Sequence, residues 1–129
     1  MKPFSVGDRI ILVLTVPIKT VSEMNQREHW SSRNARRRSQ KLAVWAAIES
    51  ARGRRERVPG LPATVVLTRI APRLIDSDNA VSAMKAVRDG VACAYRVDDR
   101  DSDETLRWEY AQRIGKPMEY AVEIRIESR

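Results

Sequence analysis

Ala63-Thr64-Val65-Val66-Leu67-Thr68-Arg69-Ile70, then Pro72, then Asp76-Ser77-Asp78-Asn79 is the stretch on which the fold turns. The first eight residues are rich in β-branched side chains and read as a strand. Pro72 ends it and leads into the acidic motif. Asp78 is placed to cap a helix from about Asn79 to Tyr95, whose predicted core face is Ala80, Ala83 or Met84, Val87 and Val91. Asp76 and Asp78 are two apart, so in an extended segment at the strand end both carboxylates point to one side.

Upstream, Ile10-Ile11-Leu12-Val13-Leu14-Thr15-Val16 is β-branched and bounded by Pro17. It reads as a buried strand: it is far short of the roughly 20 residues that span a bilayer. It also lacks the start and the cleavage site of a signal peptide. A polar loop of about fifteen residues follows, from Pro17 to Ser32, and long loops in compact domains are often functional. Ser31 or Ser32 can cap a helix running to about Ala51, with Arg33, Arg36, Arg37, Arg38 and Lys41 in its first half. Leu42, Trp45, Ala46 and Ile48 form the predicted apolar stripe of its second half.

Downstream, Leu106, Trp108 and Tyr110 alternate with Arg107, Glu109 and Ala111. After Gly115-Lys116-Pro117, Tyr120, Val122, Ile124 and Ile126 alternate with Ala121, Glu123, Arg125 and Glu127. The pattern predicts a C-terminal hairpin. The order β-α-β-α-β-β predicts an α+β (mixed α/β) fold, a small mixed sheet with helices packed on it, as one domain over residues 1–129. Apolar content of 43% with 32% charged residues fits a folded protein rather than a disordered chain. The single Cys93 excludes an intramolecular disulfide and a cysteine-rich zinc site, and its Ala-rich surroundings predict a buried small residue.

Charge is segregated. The formal net charge is +7, yet eight acids against four bases give residues 76–104 a net −4. Packed carboxylates repel unless a cation neutralises them, and clustered hard oxygens suit Mg²⁺ or Mn²⁺. Asp98 and Asp99, in the loop after the second helix, can return a third carboxylate. Lys85, about two helical turns after Asp78, can project from the same face and stabilise charge on an attacked phosphate. The plain alternative makes Asp76 and Asp78 a turn and a helix cap, and residues 98–104 a solvated loop. A Ca²⁺ loop starting at Asp99 fails, because Glu104 stands where a glycine is needed and Tyr110 where a glutamate is needed.

The basic counterpart lies between Arg33 and Arg57, where nine bases and two acids give +7, the charge of the whole chain. Few acids compensate it, as expected of a face that meets phosphates; a solvated helix usually mixes signs. His29, the only histidine, lacks the partners of a metal site and reads as a DNA contact or a loop-packing residue. Trp30 is either a core anchor or a stacking residue. Trp45 and Trp108 sit at core phases, and Lys116 in the predicted turn is a candidate phosphate contact.

Taken together, Asp-x-Asp-Asn, Lys85-x-x-x-Asp89 on the next helix and Asp98-Asp99 ahead of a C-terminal hairpin resemble the RusA family of Holliday junction resolvases, common in phages and prophages. The similarity covers nearly the whole chain: an opening strand, Pro17, a polar loop with Ser22 and Asn25, a basic helix and a second strand precede the motif. The resemblance implies a homodimer that cuts four-way DNA junctions with Mg²⁺ or Mn²⁺, in the cytoplasm of a bacterium or phage-infected cell, with no membrane partner. It assigns Asp76, Asp78 and Asp99 (or Asp98) to the metal and Lys85 to catalysis. The longer spacing from Asp78 to Lys85, by about one helical turn, sets the lysine farther along its face. The Arg33 to Lys41 helix and the Asn25 to Trp30 loop would grip DNA. The competing expectation is a non-catalytic DNA-binding protein that uses the Arg-rich helix 33–51.

Overall fold

The structure is a computed structural model that describes residues 9–20, 30–97 and 104–129. Its elements are β1 (Ile11–Val16), α1 (Trp30–Gly53), β2 (Ala63–Ala71), α2 (Ser77–Ala83), α3 (Lys85–Tyr95), β3 (Leu106–Ile114) and β4 (Ala121–Ser128). The strands form one sheet in the order β1-β4-β2-β3. β2 and β3 are parallel, whereas β4 runs antiparallel to both β1 and β2. The mixed α+β architecture expected from the sequence is the one observed.

The C-terminal strands exist as expected, but they are not a hairpin. Ile114 lies beside Ala71 and Ala121 beside Ile70, so the connection from Gly115 to Tyr120 crosses the end of β2. Burial supplies the reason. Val122, Ile124 and Ile126 of β4 are fully buried and sit on a central strand, while β3 carries half-buried Trp108 and Tyr110 at the sheet edge. Alternation reports which face a residue takes and is blind to which strand becomes its neighbour. β1 likewise buries only one face, Leu12 and Val16, and exposes Ile11 and Val13; it is an edge strand rather than a buried one.

One face of the sheet carries the core. Leu12, Val16, Val65, Leu67, Ile124 and Ile126 meet Val44 and Ile48 of α1 and Val87 and Val91 of α3. Ala80, Ala83, Met84, Val87 and Val91 are all buried, as the periodicity predicts. The expected single helix is nevertheless broken at Met84, whose φ of −102° and ψ of 11° separate α2 from α3. No Gly or Pro marks the break; the turn carries the Met84 side chain wholly into the core while Lys85 faces outward.

In α1 the phase of the stripe differs from expectation. Gln40, Val44, Ile48 and Ala51 are buried, while Leu42, Trp45 and Ala46 face solvent. Cys93, expected in the core, is exposed beside them. The helix turns on its axis because α1 packs chiefly on α3, and the crossing is set by Gly90. A Cβ at Gly90 would lie 2.7 Å from the carbonyl oxygen of Lys41 and 2.7 Å from the Cβ of Val44. Only a residue without a side chain admits that approach. At the far end of the pair, Tyr95 donates a 2.6 Å hydrogen bond to the Pro59 carbonyl, and burial raises its pKa to about 12. Among the described residues no helix is long and apolar enough to cross a membrane.

Gly90→Ala is expected to lower unfolding stability by about 1–3 kcal/mol in urea titrations, the usual range for overpacking. The gain in helix propensity of about 1 kcal/mol offsets only part of this. Unchanged stability would mean that α1 can slide on α3 at no cost.

Candidate functional site

The segment that presents Asp76 is tied to the sheet by two side chains that no sequence pattern singles out. Arg69 is buried at 7% exposure and has no carboxylate among its described partners. Its Nε donates to Thr20 Oγ1 at 3.0 Å, and its Nη1 donates to the Arg73 carbonyl at 2.8 Å and to Gln112 Oε1 at 3.3 Å. Burial draws its pKa below the usual guanidinium value. The Gln112 carboxamide then grips Ile75 from both sides, Nε2 donating to its carbonyl at 2.7 Å and Oε1 accepting from its N–H at 3.0 Å. A side chain of β3 thus supplies the pair of bonds that another strand would, one residue before Asp76.

Asp76 holds the N-cap position of α2 in an extended conformation (φ −57°, ψ 146°), and its carboxylate makes no capping bond. Asp78, expected as the cap, lies inside the first turn, where the positive end of the helix favours its charge. The two are therefore not successive members of one extended segment. Both are exposed, and neither carboxylate has an ion-pair partner among the described residues. Lys85 opens α3 beyond the break, so two continuous turns do not connect it to Asp78. Its Nζ lies 3.7 Å from Asp89 Oδ1, one turn along its own helix. That pair is exposed and contributes little to stability.

The end of the sheet that carries Asp76 also carries Lys116. The Gly115 N–H donates to the Ala71 carbonyl at 2.9 Å, which seats the Lys116 turn against the end of β2. The Lys116 N–H donates to Glu119 Oε1 at 2.8 Å. Thr20, the last described residue before Trp30, is bonded to Arg69 at the same end. Asn25, His29, Asp98 and Asp99 lie outside the described residues. The residues that bound the Asp98-Asp99 segment, Val97 and Glu104, sit toward the opposite end of β2: Tyr95 bonds Pro59, and the Ala63 N–H donates to the Thr105 carbonyl. Nine residues of strand separate the two ends, on the order of 26 Å. Among the described residues no three His, Cys, Asp or Glu side chains converge.

The basic helix divides into two kinds of cation. Arg33, Arg36 and Arg37 are half-buried, whereas Arg38 and Lys41 are exposed. Trp30, the first residue of α1, is 67% exposed and does not anchor the core. Arg88 is a residue that sequence reasoning misses. It stacks 4.8 Å from the Trp108 ring centroid, donates to Tyr110 Oη at 3.2 Å and, with Ser82, Lys85 and Val81, lines a pocket of about 250 Å³. The spacing of Lys85 and Arg88, three apart on one helix, together with alternating aromatic residues on β3, is the signal that could have found it. No family model matches the chain, and no curated protein is detectably similar to it.

Gln112→Leu keeps the volume and removes both bonds to Ile75. It is expected to destabilise the fold by about 1–3 kcal/mol, the usual cost of leaving buried polar groups unsatisfied. Faster amide exchange at Ile75 and Asp76 would locate the effect, and wild-type exchange there would show that the clamp is dispensable.

Proposed function

We propose that this protein is a RusA-like, metal-dependent endodeoxyribonuclease that cuts four-way or otherwise branched DNA. The observation that carries the reading is the pair Asp76 and Asp78. Both are exposed and without an ion-pair partner among the described residues, they sit at the carboxyl end of β2, and Arg69 and Gln112 hold the preceding segment in place. Hard, uncommitted carboxylate oxygens of this kind fit Mg²⁺ or Mn²⁺; Asp99 or Asp98, whose flanking residues lie at the opposite end of β2, would join them as a third ligand only from a second copy of the chain. Such an ion, when bound, lowers the pKa of a coordinated water and neutralises charge at phosphorus.

The chain's own residues do the rest. Asp76 and Asp78 orient the ligand sphere, and the backbone clamp fixes Asp76 without reorganisation. Lys85, released from Asp89, places positive charge near the phosphate as the 3′ oxygen leaves. Arg33, Arg36, Arg37 and Lys116 hold DNA phosphates, while Asn25, His29 and Trp30 contact the strands near the branch. Paired nicks on opposing strands require two such sites, which a homodimer supplies by symmetry. A second reading, a DNA-binding protein without chemistry, draws on the Lys85–Asp89 pairing and on the charge of α1.

Cleavage of a labelled four-way junction in Mg²⁺ and in EDTA, beside a linear duplex of matching sequence, separates the two. Metal-dependent nicks confined to the junction are expected; tight binding without cutting would select the second reading. Asp78→Asn should slow cutting by roughly 10²–10³-fold, as for loss of one preorganised charged group, with junction binding kept or tightened. Full activity in that variant would remove Asp78 from the site. Replacing Arg33, Arg36 and Arg37 with Ala should flatten the log–log salt slope of binding by up to about 2.7, near 0.9 for each phosphate no longer neutralised. An unaltered slope would return α1 to an ordinary solvated helix.

A further inference from the structure

We infer that the exposed stripe of α1 is a self-association surface on which α1 of a second copy lies antiparallel. Leu42 is 60% exposed and Trp45 39%, both large apolar side chains in the middle of a 24-residue helix. With Arg38, Lys41 and exposed Cys93 of α3 they line a shallow groove of about 440 Å³. Arg38, Leu42, Trp45 and Glu49 follow one another at intervals of four, three and four residues. That spacing aligns them along one face and is the repeat with which two helices pack side by side.

The order of charges on this face selects the occupant and its direction. Arg38 lies four residues before Leu42, and Glu49 lies four residues after Trp45. A two-fold axis midway between Leu42 and Trp45 sets each Leu42 against Trp45 of the second copy and each Arg38 against Glu49 of the second copy. The surface is then its own complement, as an isologous interface requires. A parallel arrangement would oppose Arg38 to Arg38 and Glu49 to Glu49. DNA fits this strip poorly, because Glu49 would face phosphate and the middle of the strip is apolar. Glu49 accepts a hydrogen bond from Arg52 of its own helix, an exposed contact that is readily exchanged.

The inference rests on this surface and not on the nuclease reading. Sedimentation equilibrium of the full chain, without DNA, tests it. A dimer is expected for the wild-type protein. Leu42→Glu should weaken association on the order of 100-fold, as for a residue at the centre of an interface. Arg38→Glu should weaken it, and adding Glu49→Arg to that variant should restore it, because the swap re-forms both pairs with reversed sign. Circular dichroism of each variant confirms the fold, since all three side chains are at the surface. Wild-type chains that stay monomeric at high micromolar concentration would overturn the inference. So would a dimer indifferent to Leu42→Glu, or a charge swap that fails to restore association in a folded protein. A chain that dimerises through α1 and cuts nothing would leave it standing.

Discussion

Parallel pairing of β2 with β3 cannot be closed by a turn, because the end of one strand and the start of the next lie at opposite ends of the sheet. The chain must travel back over the sheet, and α2 and α3 are that return path. Much of the molecule depends on this crossover. It puts Asp76 and Asp78 just past the carboxyl end of β2, where the chain leaves the sheet. In open α/β sheets that is where backbone is free to line a crevice. It carries Val97 and Glu104 toward the other end. It also leaves one side of β2 for β4, whose fully buried Val122, Ile124 and Ile126 make it central.

The polar interactions follow the same geometry. Arg69 sits at the Asp76 end of β2, buried among neutral acceptors: a hydroxyl, a backbone carbonyl and a carboxamide. A buried guanidinium satisfied in this way is costly to desolvate, yet it holds Arg73 and Gln112 in place, and Gln112 holds Ile75. Nearby carboxylates stay outside the network and in water. The fold therefore commits the hydrogen bonds of Arg69 and Gln112 to the backbone that presents Asp76 and leaves Asp76 and Asp78 uncommitted. At the other helix pair, Gly90 lets α1 settle onto α3 at backbone distance, and that close crossing turns Leu42 and Trp45 outward.

Most of the elements are legible in the chain, because each announces itself through local chemistry. β-branched runs mark β1 and β2, period-two alternation marks β3 and β4, and the spacing of Ala80, Ala83, Val87 and Val91 marks the buried side of α2 and α3. Asp76 and Asp78 stand out because like charges gathered in a basic chain call for a physical reason. Arg69 and Gln112 do not, since nothing in the order of residues says that a strand arginine will be buried or that a glutamine will stand in for a missing strand. The apolar residues of α1 mislead for a related reason. Leu42, Val44, Trp45 and Ile48 fit two helical phases, and the choice between them belongs to the partner helix.

Sequence alone determined what is local: the strands and helices, the face each strand turns inward, the segregation of charge and the acidic motif behind the second strand. Those features follow from backbone sterics, side-chain periodicity and Coulomb repulsion, which act over a few residues. Tertiary structure decided the rest. Strand order, the break at Met84, the outward turn of Trp45 and Cys93, and the clamp on Ile75 each depend on contacts between segments far apart in the chain. Close packing decides such contacts: a strand pairs where its buried side chains find cover, and α1 rotates until Val44 meets Gly90 of its neighbour.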